Sequence, residues 1–301
     1  VGDGGGFNQN PVGYVGVEFE KATGLEPSAY TIFGQLYQLT NDPAFAQILY
    51  NGNNNSLEGL PHDVFAKDPA LFQTTIQKVI NEHGNRPSLN SIDLQEWHLA
   101  ILRSGKGENA RALSLSYDTL YNHHHADTMN LSLFAKGLDL LPDFGYPPVQ
   151  YGGWQTPQAN WYKRSAAHNT VVVDGKDSRE GAGKTTLWIE NESFHSIRIS
   201  APEAIEGEQY ERTVSLVDIS EEDAYVIDIF RVIGGSDHAR FLHSFVADLR
   251  TEGLNLNDAK NYGHGTLMRD FSCDKNPTIG WSADWKIDNQ LAQLPIEGDI
   301  H

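Results

Sequence analysis

The stretch LYNHHHADTMNLSLFAKG, Leu120 to Gly137, holds three consecutive histidines and then an aspartate. Imidazole carries protons near neutral pH and is the commonest metal ligand. In an extended chain side chains alternate in direction. His123, His125 and Asp127 then share one face, and His124 takes the other. Unpaired polar groups are costly to bury, so an inward-facing set implies a metal, a hydrogen-bond network or a wet cleft. Two further candidates stand downstream. Asp143 sits in LLPDFGYP, between an apolar run and a Gly-Tyr-Pro turn, and His168 sits in RSAAHNTVVVDG, just before a strongly β run. Two imidazoles and a carboxylate, with water as fourth ligand, suit zinc. Ordinary hydrogen-bonded histidines at 125 and 168 are the other reading. A two-residue turn at Lys136–Gly137 sets Asp143 opposite Asn130.

The elements that must carry these residues change type along the chain. PAFAQILY (Pro43 to Tyr50) and DPALFQTTIQKVINEHG (Asp68 to Gly84) have apolar residues at helical spacing. Asp68 is placed to cap the second helix, Pro69 suits its first turn, and Gly84 suits its end. NRPSLNS, from Asn85, reads as a boundary. Beyond it come short alternating or β-branched runs separated by turn residues: EWHLAILRSG, ARALSLSYDTL, NLSLFAKGLDLL, NTVVVDG, TLWIE, FHSIRIS, RTVSLVDI, AYVIDIFRVIGG and ARFLHSFVADL. That texture predicts a large antiparallel β-sandwich.

The 301 residues suffice for two domains with a sizeable core. Forty acidic against 22 basic residues give a net charge of −18, which argues against nucleic acid as a partner. It sits awkwardly with a polyanionic substrate unless a locally basic cleft outweighs it. No run approaches the ~18 apolar residues of a membrane span, so a membrane is not an expected partner. The single cysteine, Cys273, forms no intrachain disulfide, which fits an exported bacterial protein and a cytosolic one alike. The chain opens VGDGGGF, without Met or a charged-then-apolar leader, and this reads as a removed signal peptide or a fragment.

Two glycine-rich stretches do not complete a nucleotide motif. GAGKTT has Ser178 where a phosphate-binding loop needs its first glycine, and GDGGGF has Phe7 in the last glycine position. A rival to zinc is the facial triad of a non-haem iron oxygenase, His125-x-Asp127 with His168, with Arg179 placed to bind a 2-oxoacid. A non-catalytic carbohydrate-binding sandwich is a third reading. The loop YGGWQTPQANWYKR, Tyr151 to Arg164, could stack its aromatics on sugar rings or pack them inside the sandwich, and Lys163 with Arg164 forms a local positive set near His168.

The blocks HHHAD, LLPDFGYP, RSAAHNTVVVDGKDS and VIDIFRVIGGSDHARFLHSF, in that order, resemble the C-terminal half of the heparinase II/III-like polysaccharide lyases and the related alginate lyases. VGDGGG near the start and LAILRSG at the boundary extend the likeness over most of the chain. The resemblance implies an α+β multidomain protein: the tail of an α/α toroid over residues 1–92, then an antiparallel β-sandwich over 93–301 that is cut short. It implies one divalent metal, zinc, on His125, Asp143 and His168. It makes His123 a catalytic histidine, with a tyrosine from the loop after the Asp-x-Gly turn beside it. Tyr146 and Tyr151 are candidates, and Tyr151 is preferred. Trp154 and Arg164 are then substrate-binding residues.

The implied reaction is β-elimination on a uronate-containing polysaccharide, by a secreted or periplasmic bacterial enzyme. The family's principal catalytic Tyr and the Asn or His that neutralises the substrate carboxylate lie on upstream toroid helices, and too few residues precede His123 here to contain them. Those helices, in cis or as a separate fragment, are therefore an expected partner, and residues 1–301 alone are expected to be nearly inactive.

Overall fold

The computed structural model describes residues 25, 27–118, 125–145, 155–244, 247–263 and 268–287. The chain divides into two compact units, with Glu18–Leu89 as one and the β-rich part from Asn90 as the bulk of the other.

The described residues of the first unit hold three helices: α1 (Pro27–Thr40), α2 (Pro43–Gly52) and α3 (Pro69–His83). The caps expected of α3 are present. The Asp68 carboxylate accepts from Leu71 N at 2.9 Å, Pro69 opens the helix, and Gly84 follows it at φ 78°. Asp42 does the same for α2 through Ala44 N. Such a cap satisfies one of the backbone donors that the first turn leaves unpaired. The sequence motifs did not single out α1. It has no acidic residue in its first turn, and Gly34 and β-branched residues interrupt its pattern. Tertiary packing supports it instead: Tyr30 joins Ala46, Leu49, Leu60, Ile76 and Val79 in a small buried core.

The second unit is built from β-strands. β1 (Ile92–Leu94), β2 (Leu99–Ser104), β3 (Arg111–Ser116), β4 (Leu131–Ala135) and β5 (Leu138–Leu141) form an antiparallel sheet in chain order. After β6 (Val171–Val173), the strands β7 (Lys184–Glu190), β8 (Phe194–Ser200), β9 (Gln209–Asp218) and β10 (Ala224–Ile233) form a second antiparallel sheet. Ribbons complete the unit: β11 (His238–Arg240) pairs with β6, β12 (Ala247–Glu252) with β15 (Ser282–Ile287), and β13 (Asn257–Asp258) with β14 (Ser272–Cys273). A short helix, α4 (Pro157–Tyr162), precedes β6.

The two large sheets share one core, as a sandwich requires. Ala100, Leu102, Leu113, Leu115 and Leu131 come from the first sheet, and Ile197, Ile199, Tyr210, Val214 and Leu216 from the second. Ile197 on β8 is fully buried there. Truncating it deletes three carbons from a close-packed site, so Ile197→Ala is expected to cost about 2–5 kcal/mol in urea unfolding. A cost below about 1 kcal/mol would place it outside the shared core.

The GAGKTT glycines serve this packing. A Cβ on Gly183 would lie 2.5 Å from Ile199, and one on Gly181 2.9 Å from the Glu203 backbone. A strand follows from Lys184, whereas a phosphate loop leads into a helix. Among the described residues no helix is long and apolar enough to cross a membrane.

Candidate metal centre

Asp143 follows β5 in an Asp-Phe-Gly turn. Its Oδ1 accepts from Gly145 N at 2.7 Å, and Gly145 takes φ 62°, a region open to glycine at no steric cost. The β4–β5 hairpin contains a bulge between Leu133 and Phe134, so its register differs from a simple two-residue turn. The side chains of Asn130 and Asp143 still meet, with Asn130 Nδ2 donating to Asp143 Oδ2 at 2.6 Å.

His168 leaves a short 3-10 turn, Ser165–Ala167, with extended backbone. Its Nδ1 donates to the Arg164 carbonyl at 2.8 Å. A carbonyl only accepts, so Nδ1 carries a proton, and in the neutral ring Nε2 keeps the lone pair that a metal needs. That lone pair lies 3.3 Å from His125 Nδ1 and 3.7 Å from Asp143 Oδ2. His125, Asp143 and His168 are each at most 2% exposed, and one ligand atom from each falls within 4.8 Å of the others.

The donor set suits a small cation. Two donors about 2.1 Å from a tetrahedral zinc lie roughly 3.4 Å apart, and the two imidazole nitrogens are already at 3.3 Å. Asp143 supplies negative charge in a buried place, where an unpaired carboxylate is costly. Both of its oxygens are also held by neighbouring donors, as outer-sphere partners hold metal ligands.

The expectation of an extended HHHAD run is not met in its described part. From His125 to Asn130 the chain makes a bend and a turn, Asn130 N donates to Asp127 O, and Met129 takes φ 67°. Strand alternation therefore does not set the Asp127 direction. Asp127 lies outside the converging donor set, so the iron triad of His125, Asp127 and His168 does not assemble as that rival reading needs. Burial pushes the Asp127 carboxyl up to about 6, with the Asp143 charge adding and His168 opposing.

His123, Tyr146, Tyr151 and Trp154 lie outside the described residues. Lys163 and Arg164 are partly buried, and their carbonyls do structural work by accepting from Ala126 N and from His168. In the aromatic loop, Trp161 and Tyr162 are buried with Phe144, Phe241 and Met268. These two rings pack inside and are not sugar platforms, because they sit on α4, which folds onto β6 and its flank.

Several supporting residues escaped the motif reading. Asn130 holds Asp143, and its Oδ1 also accepts from Asn169 N at 2.9 Å. Asn169 donates to Pro142 O and accepts from His243 N. The ring of His243 reaches Ala166 O at 2.9 Å and stacks on Phe241. Two of them left a sequence signal: the hairpin register set Asn130 opposite Asp143, and Asn169 is an amide between His168 and a run of β-branched residues.

The family described as Heparinase II/III-like, C-terminal, matches residues 86–245, just over half of the chain and the whole stretch that carries these ligands. The chain belongs to this family. Among its relatives, the exo-oligoalginate lyase of Saccharophagus degradans is 29% identical over 216 residues, covering 65% of this chain and 28% of that protein. The heparin-sulfate lyase of Bacteroides stercoris is 25% identical over 121 residues, covering 40% of this chain and 17% of its own length. The chain thus spans less than a third of either relative. Among solved structures, heparinase III aligns with 74% of this chain and 29% of its own, at 14% identity and a TM-score of 0.49.

Proposed function

We propose that this heparinase II/III-like chain belongs to a polysaccharide lyase that cleaves a uronate-containing polymer by β-elimination. The observation that carries the reading is the buried convergence of His125, Asp143 and His168 inside the family-matched segment. Alginate-like and heparin-like polymers are the substrate classes, from the names of the two relatives. Residues 1–92 are read as the end of an α/α toroid and 93–301 as the sandwich, with further toroid helices as partner. Two relatives from bacteria make a secreted or periplasmic setting the natural one.

β-Elimination removes the C5 proton of a uronate and expels the C4 oxygen. The site must offset the carboxylate charge, accept one proton and deliver another to the leaving oxygen. His123 and Tyr151 suit the two transfers. Two residues of chain span at most about 7 Å, so His123 is tethered to the ligand His125. Arg164 and Trp154 are the proposed sugar contacts. Zinc on His125, Asp143 and His168, when bound, would brace the loops that carry these groups.

The test incubates the complete enzyme, this chain together with its upstream helices, with alginate, heparin-like and chondroitin-like polymers and follows absorbance of the new C4–C5 double bond. His123→Ala is expected to keep its metal and melting temperature and to lose elimination. Binding of polymer without unsaturated product would favour a non-catalytic sandwich. Activity that survives in His123→Ala would make His123 a mere neighbour of the metal.

A further inference from the structure

The inward side chains of β9 reach the ligand loops. Arg212 is the second-largest fully buried side chain among the described residues, with only 1% of it exposed. Its Nη1 donates to Met129 O at 2.5 Å and to Asn169 O at 2.6 Å. Those two carbonyls belong to two of the three segments that carry the metal set, the one from His125 and the one around His168. Met129 immediately precedes Asn130, which holds Asp143, and Asn169 immediately follows His168. Met129 also has φ 67°, uncommon for a residue with a side chain. Such a conformation persists where its surroundings over-determine it, and here its carbonyl is held by a guanidinium.

The guanidinium is itself fixed. Nε and Nη2 form a fork on Asp228 of β10, at 3.0 and 2.6 Å, and Arg240 also contacts Asp228 Oδ2 at 2.6 Å. The Phe230 ring lies beneath, 5.3 Å from Arg212 Cζ. A planar fork can hold a carboxylate and still spend another nitrogen on two carbonyls; an ammonium cannot do so in one geometry. A buried ion pair is a poor source of stability compared with apolar packing. What this one adds is a fixed distance between two loops.

We propose that Arg212, anchored by Asp228, is a positioning residue of the metal centre: it sets the spacing between the Asn130–Asp143 pair and His168, so that the three ligands are arranged before the cation arrives. Tyr210 repeats the arrangement one turn of the alternation away, where its hydroxyl donates to Val171 O and meets Thr170 Oγ1, which in turn donates to Thr128 O. Strand β9 is the rigid base on which both loops rest. The inference rests on the metal reading given under Proposed function.

The test uses the 301-residue chain, titrated with Co²⁺ and, by chelator competition, with Zn²⁺. Four variants are compared with the wild type: Arg212→Lys, Asp228→Asn, the double variant Arg212→Met/Asp228→Asn, and Ile197→Ala as a control that is destabilised through the sandwich core without removing a hydrogen bond to the loops. Folding is checked by circular dichroism and thermal melting. The Arg212 and Asp228 variants are expected to lose about 10–100-fold in zinc affinity, the range typical of outer-sphere partners, with altered Co²⁺ visible bands. Ile197→Ala is expected to keep wild-type affinity and bands. Folded Arg212 and Asp228 variants with affinity within about twofold of wild type and unchanged bands would overturn the proposal, as would an equal loss in Ile197→Ala. A wild-type chain that binds neither ion, or whose binding survives His168→Ala, would overturn the metal reading and this inference with it.

Discussion

Asp143→Ala is expected to lose its metal and its chelator response together. On the proposed reading zinc binds only the folded state of the wild type and stabilises it, so a chelator is expected to lower the melting temperature. In the variant a ligand is gone, and affinity should drop by more than the roughly 100-fold seen for outer-sphere changes. The metal-free protein should also weaken, because Asn130 Nδ2 and Gly145 N lose their acceptor in a buried place. Each stranded donor costs about 1–3 kcal/mol, so a loss of about 3 kcal/mol or more is expected in urea unfolding under chelator. Elemental analysis and melting curves with and without chelator decide it. One equivalent of metal retained in Asp143→Ala would remove this residue from the set and return Asp127 to consideration.

The second large effect is on acid stability, through His243. Burial among Phe144, Trp161 and Phe241 pushes its imidazole down from 6.5 to about 4; His168 nearby acts in the same direction and the Ala166 carbonyl opposes. The unfolded chain takes up this proton near 6.5, while the folded chain resists until about 4. Between these values the unfolded state binds more protons, so stability falls as pH falls. The contribution is fully present above about 6.5 and is lost progressively down to about 4. At pH 4 the loss is at most about 3 kcal/mol; the residue keeps some exposure, and solvent screening makes that figure a ceiling. His243→Gln keeps a donor for Ala166 O and removes the titration. The stability gap between wild type and His243→Gln, measured by urea unfolding under chelator, should therefore shift in favour of the variant by about 2–3 kcal/mol from pH 7 to pH 4. A gap that does not move with pH would mean that the ring protonates freely in the folded protein.

Local signals carried much of the fold. Asp68-Pro69 and Gly84 mark the ends of α3 because capping is settled within one turn of chain. Lys136–Gly137 marks the β4–β5 turn because both residues take positive φ there, at 54° and 75°. The β-branched runs of β8, β9 and β10 need only alternation to be recognised. The same rule misled at HHHAD, where polar alternation suggested a strand and the described part is a bend closed by Met129. The bend is stabilised from outside: Arg212 takes the Met129 carbonyl and Thr170 the Thr128 carbonyl, and neither partner is near in sequence.

By itself, the sequence determined the helical-then-β order, the donor types at 125, 143 and 168, and, through the order of its motif blocks, the likeness to heparinase II/III-like lyases. These are properties of short segments, and side-chain chemistry and local backbone preference suffice to write them. Tertiary structure alone decided that His125, Asp143 and His168 converge and Asp127 does not. It also decided that Trp161 and Tyr162 face inward, and that Asn169, Arg212 and His243 tie together the loops that carry these three residues. The reason is distance along the chain. Arg212 lies 83 residues from Met129 and His243 lies 77 from Ala166. Such bonds form only when two sheets and their loops have packed, and no local pattern of residues encodes which carbonyl a buried guanidinium will find.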